Sequence, residues 1–203
     1  MAGTLHGFGL GVASKNAKGD VLDVFYPAPL ANISGDLVSI FDGVSGELKA
    51  TEIRALSDGL RSAGEHALAD IAVRLGEADQ PVVASLLADN AAPQTVADAY
   101  LKLHLLSHRL IKPHGTDLTG MFALLPNVAW TDEGPIDLAE LADRQLTSRL
   151  KGRVLEVASV DKFPKMTNYV VPSGVRIAHT ARVRLGAYLG SGTTVMHEGF
   201  INF

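Results

Sequence analysis

The sequence predicts an α/β amino-terminal region followed by the start of a left-handed parallel β-helix built on a hexapeptide repeat. Three observations predict it. Val171, Ile177, Val183, Leu189, Val195 and Ile201 recur at six-residue intervals. Two positions before the last five of these stand Val175, Ala181, Ala187, Thr193 and Gly199, all small or β-branched. Upstream, strand-like runs are interspersed with helix-like, capped segments. A helix repeats near 3.6 residues and a strand near two, so neither gives a step of six. That step is one short strand plus one turn of a β-helix, with the aliphatic residue inside and the small one near the corner.

Composition narrows the function classes. With 203 residues, 47% of them hydrophobic, the chain can build one large or two small cores. The net charge is −4, and no block is basic. Nucleic acid and anionic membranes are therefore not expected as partners. The absence of cysteine excludes disulfides, thiolate zinc sites and a Cys nucleophile from this sequence. The opening Met1–His6 has neither a basic nor a long apolar segment, so no signal peptide is expected. No apolar stretch reaches the roughly 20 residues of a spanning helix. The expectation is a soluble cytoplasmic protein.

The elements follow in chain order. Leu5–Val12 reads as a strand with glycine on one face. Its Gly7-Phe8-Gly9-Leu10-Gly11 run lacks the spacing and position of a nucleotide loop, and close packing against a neighbour explains it better. Asn16–Gly19 reads as a hairpin turn and Val21–Tyr26 as the return strand. Thr51–Ala63 has helical spacing, although Gly59 lies inside it. Residues 66–75 fit helix or strand equally. Pro81–Leu87 reads as a strand. Thr95-Val-Ala-Asp98 is a capping box opening a helix that carries Tyr100, Leu103, Leu106 and Leu110. Met121–Trp130 reads as a strand, and Asp137–Glu140 starts a helix to about Leu150. Val154–Val160 reads as a strand, and 161–169 links it to the repeat. The expected organisation is 1–103, an α/β domain; 104–168, a connecting helix and strand segment; and 169–203, the first coils. With no low-complexity linker between them, the three are expected to pack together.

Three hexapeptides make one triangular coil, so residues 18 apart should stack, about 4.8 Å apart as paired strands are. His179 then lies under His197, Thr180 under Glu198, Arg182 under Phe200 and Arg184 under Asn202. His179, His197 and Glu198 fall outside the inward register and belong at the surface or at a subunit contact. Three readings are open for them: general-base chemistry on an attacking amine, a zinc shared by stacked imidazoles, or a polar ladder in water. A third zinc ligand is not obvious. His104 and His108, four apart on one helix, and nearby His114 read as a packing or capping group, because Leu-Leu-Ser between the first two is not a zinc-protease motif.

The blocks Asp161–Met166, Tyr169–Pro172, Gly174–Ala178, Arg182–Ala187 and Gly192–Phe200 occur in close order. Together they resemble the tetrahydrodipicolinate N-succinyltransferases of lysine and diaminopimelate biosynthesis. Asp98–Leu110, Pro113–Gly115 and Asn127–Thr131 resemble the longer bacterial subgroup of that family, and the first 90 residues match it more loosely. The resemblance implies an enzyme that moves the succinyl group of succinyl-CoA to the amine of 2-amino-6-oxopimelate. It implies a homotrimer with active sites between subunits. It makes Glu198, in Met196-His-Glu-Gly-Phe200, the catalytic carboxylate, either as the carrier of an acyl-anhydride or as a base. Arg184, then Arg182, with His197 and Asn202, are the expected contacts to the dicarboxylate substrate.

The chain also departs from the family. Ile177-Ala-His-Thr-Ala-Arg182 carries His179 in a stretch where relatives often have acids, so the magnesium possible in the family is not expected here. The family's later coils, with much of the CoA site and the oxyanion donors, are not in this sequence. The expectation is a fragment inactive alone, with its tail disordered or held by association. The alternatives are a non-catalytic trimerising module and a metal-dependent hydratase on the same fold.

Overall fold

The computed structural model describes residues 4–203. The opening of the segment read for a signal peptide, residues 1–3, lies outside them. Strand β1 (Leu5–Lys15) is the axis of the first layer. The turn Asn16–Gly19 returns the chain into β2 (Val21–Phe25), with Gly19 at positive φ. β3 (Leu30–Ile33), helix α1 (Asp36–Phe41) and β4 (Gly46–Glu47) follow, none of them anticipated from the sequence. α2 (Ala50–Ser62) matches the expected helix, and α3 (His66–Leu75) resolves the ambiguous segment as helix. β5 (Val82–Leu87) completes an antiparallel sheet of order β2-β1-β5-β4, with β3 paired to the other end of the edge that β2 uses.

Alternation along β1 decides what each face packs against. Phe8 and Leu10 point to α1–α3, where Phe8 stacks on Phe41 with ring centroids 3.9 Å apart. Gly7, Gly9 and Gly11 point the other way, and they are needed there. A Cβ on Gly9 would stand 2.8 Å from Leu101, and one on Gly11 would stand 2.3 Å from the Phe25 carbonyl oxygen. The run is a packing surface, as its spacing suggested.

That surface receives α4 (Val96–Ser107), opened by the predicted capping box: the Thr95 hydroxyl accepts from Asp98 N–H and the Asp98 carboxylate from Thr95 N–H. Every residue from Ala99 to Ser107 is buried. A helix buried on all sides must have partners on all sides. The sheet lies on one side. On the other, Ser107 Oγ donates to Ala187 O at 3.1 Å and accepts from Gly186 N at 2.8 Å. Beyond the helix end Arg109 donates to the carbonyls of Leu189 and Ser173. One apolar core runs from Ala13 through α4 to Val195. The boundary expected at 103/104 falls inside this helix.

The segment expected as one strand, Met121–Trp130, is instead a short helix α5 (Met121–Leu124) and, after Pro126, strand β6 (Val128–Thr131). The proline breaks the run by fixing its φ and removing a donor. β6 is central in a second antiparallel sheet, between β7 (Gly134–Asp137) and β8 (Val157–Asp161). Helix α6 (Leu138–Leu150) starts where expected, its first turn capped by the Asp137 carboxylate on Ala139 N–H.

In the last segment β9 (Arg176–Ile177) and β10 (Thr194–Val195) pair in parallel, Arg176 with Thr194 and Ile177 with Val195, and Val183 forms a parallel bridge to Ile201. Each pair is 18 residues apart. Val183, Leu189 and Val195 are buried, and Ile177 and Ile201 are partly buried. Val171 corrects the expected register: it is 64% exposed. The neighbouring Pro172 is buried instead.

Candidate functional site

The residues expected to form a site divide into three places. Glu198 and Arg182 meet at a rim, carboxylate to guanidinium, at 3.8 Å. The Glu198 side chain is 92% exposed. His179 and His197 are exposed in the same part of the chain. The rim is positioned from below. Arg182 O accepts from Ile201 N–H at 2.9 Å, and Arg184 N–H donates to Ile201 O at 3.2 Å. On the other side of Glu198, Ala178 N–H donates to Val195 O at 2.9 Å, so the backbone is held on both sides by the turn beneath.

Arg184 is engaged elsewhere. Its guanidinium pairs with the Asp161 carboxylate at 2.7 Å and stands over the rings of Phe163 and Phe200, 5.6 and 5.5 Å from their centroids. A cation set between two phenyl rings and a carboxylate is held in one orientation. Sequence reasoning missed Asp161 and the two phenylalanines as its partners. The signal was present only as their place in the Asp161–Met166 and Gly192–Phe200 blocks.

Asn202 lies apart from Glu198, on the wall of a cavity of about 540 Å³ shared with His114, Asp117, Tyr188 and Phe203. A second cleft of about 590 Å³, lined by Asp23, Phe25, Trp130, Lys165 and Tyr169, opens between the two sheets. In its wall Tyr169 donates to Asp23, and burial raises the Asp23 carboxyl above its usual pKa. His104 is fully buried, with Nδ1 on Tyr100 O at 2.7 Å and Nε2 accepting from Tyr26 N–H at 3.3 Å. Burial lowers its pKa to about 3. His108 stacks at 5.9 Å from it, and His114 is elsewhere. His104 and His108 are packing groups, as expected.

Among the described residues no three His, Asp or Glu side chains gather as metal ligands. His179, His197 and Glu198 therefore do not fit a zinc or magnesium site within one chain.

The comparisons with known proteins agree in one direction. A family model described as "Tetrahydrodipicolinate N-succinyltransferase middle" matches residues 125–165. A Pseudomonas putida protein named 2,3,4,5-tetrahydropyridine-2,6-dicarboxylate N-succinyltransferase is 55% identical over 100% of this chain and 61% of its own length. A Vibrio cholerae protein of the same name is 51% identical over 96% of this chain and 59% of its own. This chain is thus similar, over nearly all of its own length, to proteins named as tetrahydropyridine-dicarboxylate N-succinyltransferases. A Campylobacter jejuni crystal structure, given the name of a 2,3,4,5-tetrahydropyridine-2-carboxylate N-succinyltransferase as a proposed assignment, superposes with a TM-score of 0.83 at 25% identity. It is matched over 98% of this chain and 62% of that one. The chain thus spans about three-fifths of the length of the N-succinyltransferases it matches.

Proposed function

We propose that the protein carrying this sequence is a succinyl-CoA:tetrahydrodipicolinate N-succinyltransferase of lysine and diaminopimelate biosynthesis. The observation that carries this reading is 55% identity, over 100% of this chain, to a relative of that name. In the reaction the amine of 2-amino-6-oxopimelate attacks the thioester carbonyl. The C–N bond forms, the C–S bond breaks, CoA leaves as thiolate, and the amine proton must be taken up. Glu198 is the proposed acceptor of that proton. The alternative is that Glu198 first takes the succinyl group as an anhydride. Arg182, 3.8 Å away, is the proposed partner of a substrate carboxylate, with His197 beside it. Arg184, one of whose terminal nitrogens donates to Asp161, is proposed with Asn202 as a further contact to the dicarboxylate substrate.

The parallel 18-residue register supports a coil of a left-handed β-helix beginning near residue 169. A catalytic carboxylate works best where water is excluded. The full exposure of Glu198 in a single chain therefore favours a homotrimer in which a neighbouring copy covers the rim. Release of CoA thiol from succinyl-CoA, with and without tetrahydrodipicolinate and with acetyl-CoA for comparison, tests the reading. Substrate-dependent release specific to succinyl-CoA is expected from the protein that carries this sequence. Release from neither donor removes the proposal.

A further inference from the structure

The cleft of about 590 Å³ between the two sheets has no part in the proposed chemistry, since none of Arg182, His197 and Glu198 lines it. Three parts of the chain meet there. β2 supplies Asp23 and Phe25, the strands β6 and β8 with their ends supply Trp130, Asp132 and Glu156, and the segment leading into the coil supplies Lys165 and Tyr169. A cavity of this size, with an apolar wall and a few converging charges, suits a small ligand. The wall is aromatic: the Phe25 and Tyr169 rings stand 6.5 Å apart, and beside them lies Trp130, the single tryptophan of the sequence.

Charges of both signs share this cleft without meeting. Asp132 N–H donates to Glu156 O at 3.2 Å, and the Asp132 carboxylate accepts from Glu156 N–H at 2.9 Å, which holds the two acidic residues side by side. Among the described residues neither makes an ion pair, and neither does Lys165. Asp23, the remaining carboxyl of the cleft, is already engaged by Tyr169. Two neighbouring carboxylates attract cationic groups more strongly than one does, and an open ammonium on the same cleft attracts a carboxylate.

We propose that this cleft binds a basic amino acid, with its carboxylate on Lys165, its two cationic groups toward Asp132 and Glu156, and its aliphatic chain along Phe25 and Trp130. The charge count selects this class. Two open carboxylates and one ammonium are neutralised by one carboxylate and two cations, a set that a diacid, a simple amine or a nucleotide does not offer. The aromatic wall accepts the methylenes and presents its π faces to a cation. The site shares no residue with the Glu198 rim and does not depend on the proposed activity.

Trp130 makes occupancy visible. In the 203-residue chain, L-lysine or L-arginine should change its fluorescence saturably. L-norleucine, which lacks the second cation, and cadaverine, which lacks the carboxylate, should each bind at least about tenfold more weakly. Lys165→Met should weaken L-lysine at least about tenfold and leave cadaverine unchanged, whereas Glu156→Gln should weaken both. Circular dichroism checks the fold of each variant, and the ligand series on the parent needs no variant. Calorimetry on the longer protein proposed to carry this sequence should rank the four ligands in the same order. Equal binding of cadaverine and L-lysine overturns the role of Lys165 and with it the ligand class. Equal binding of L-norleucine and L-lysine overturns the role of the two acids. No saturable response to either basic amino acid overturns the site. Binding to the 203-residue chain but not to the longer protein overturns it as well, because the remaining residues then fill the cleft.

Discussion

Tyr169, in the turn that leads into the coil, donates its hydroxyl hydrogen to the buried carboxylate of Asp23 on β2, 146 residues earlier. The contact ties the first strand pair to the start of the repeat. Removing the donor with Tyr169→Phe leaves a buried acceptor short of a partner. The expected loss is about 1–3 kcal/mol of unfolding free energy, measured by urea denaturation. An unchanged midpoint would mean the contact adds nothing.

Asp23 also predicts a pH dependence. Burial raises its folded-state pKa above 3.8, so the folded state holds this proton more tightly than the unfolded state does. Its stabilising effect is full below the unfolded value and is lost as pH rises through the folded one. Asp23→Asn cannot lose that proton. Its stability relative to the parent should therefore improve as pH rises from about 4, and a constant difference across that range would contradict the assignment.

His104 acts with the opposite sign. Its pKa falls from 6.5 to about 3, so it is neutral in the fold and protonates first in the unfolded chain. Its contribution is complete above 6.5 and drains away as pH falls toward 3. The slope for one such proton is about 1.4 kcal/mol per pH unit. His104→Gln should flatten the acid limb of a stability–pH curve by as much as one proton. An acid limb of the same steepness would place the titrating group elsewhere.

At the rim, Glu198→Gln in the longer protein proposed to carry this sequence should abolish the proposed succinyl transfer while changing stability by no more than about 0.5 kcal/mol, as befits a side chain in water. Arg184→Ala should behave differently, costing about 1–3 kcal/mol through the Asp161 pair and the two rings it leaves behind. Kinetics and thermal unfolding on the same two variants separate the roles. Full activity in Glu198→Gln would remove that residue from the chemistry.

The glycine face of β1 offers a fold-level test. Gly11→Ala sets a methyl 2.3 Å from a backbone oxygen that cannot swing away. A loss of at least about 1–3 kcal/mol is expected from overpacking, read as a fall in melting temperature. Tolerance of alanine there would mean that β1 and β2 can part without cost.

Where local chemistry decided a structure, it was legible in the sequence. The Thr95–Asp98 box fixed the start of α4, the Asn16–Gly19 turn fixed the hairpin, and the six-residue step fixed the 18-residue register of Ile177 and Val195. What depended on distant partners was not. β4 is two residues long and exists because β5 offers it an edge. β3 forms on the unused end of β1. At the candidate site, the exposure of Glu198 followed from its register. The capture of Arg184 by Asp161 did not, because residues 23 apart, one at a strand end and one on the coil, carry no shared period.

The embedding of α4 has a consequence for how this molecule could be rebuilt. One rod, gripped by glycines below and fastened above through Ser107 and Arg109, keys the sheet to the parallel-paired segment of residues 176–201 as an axle keys two wheels. Exchanging either half for a relative's would leave the axle mismatched on one side. Chimeras should therefore be cut on both sides of residues 95–110, with the whole helix travelling with one parent and its two seats redesigned to suit.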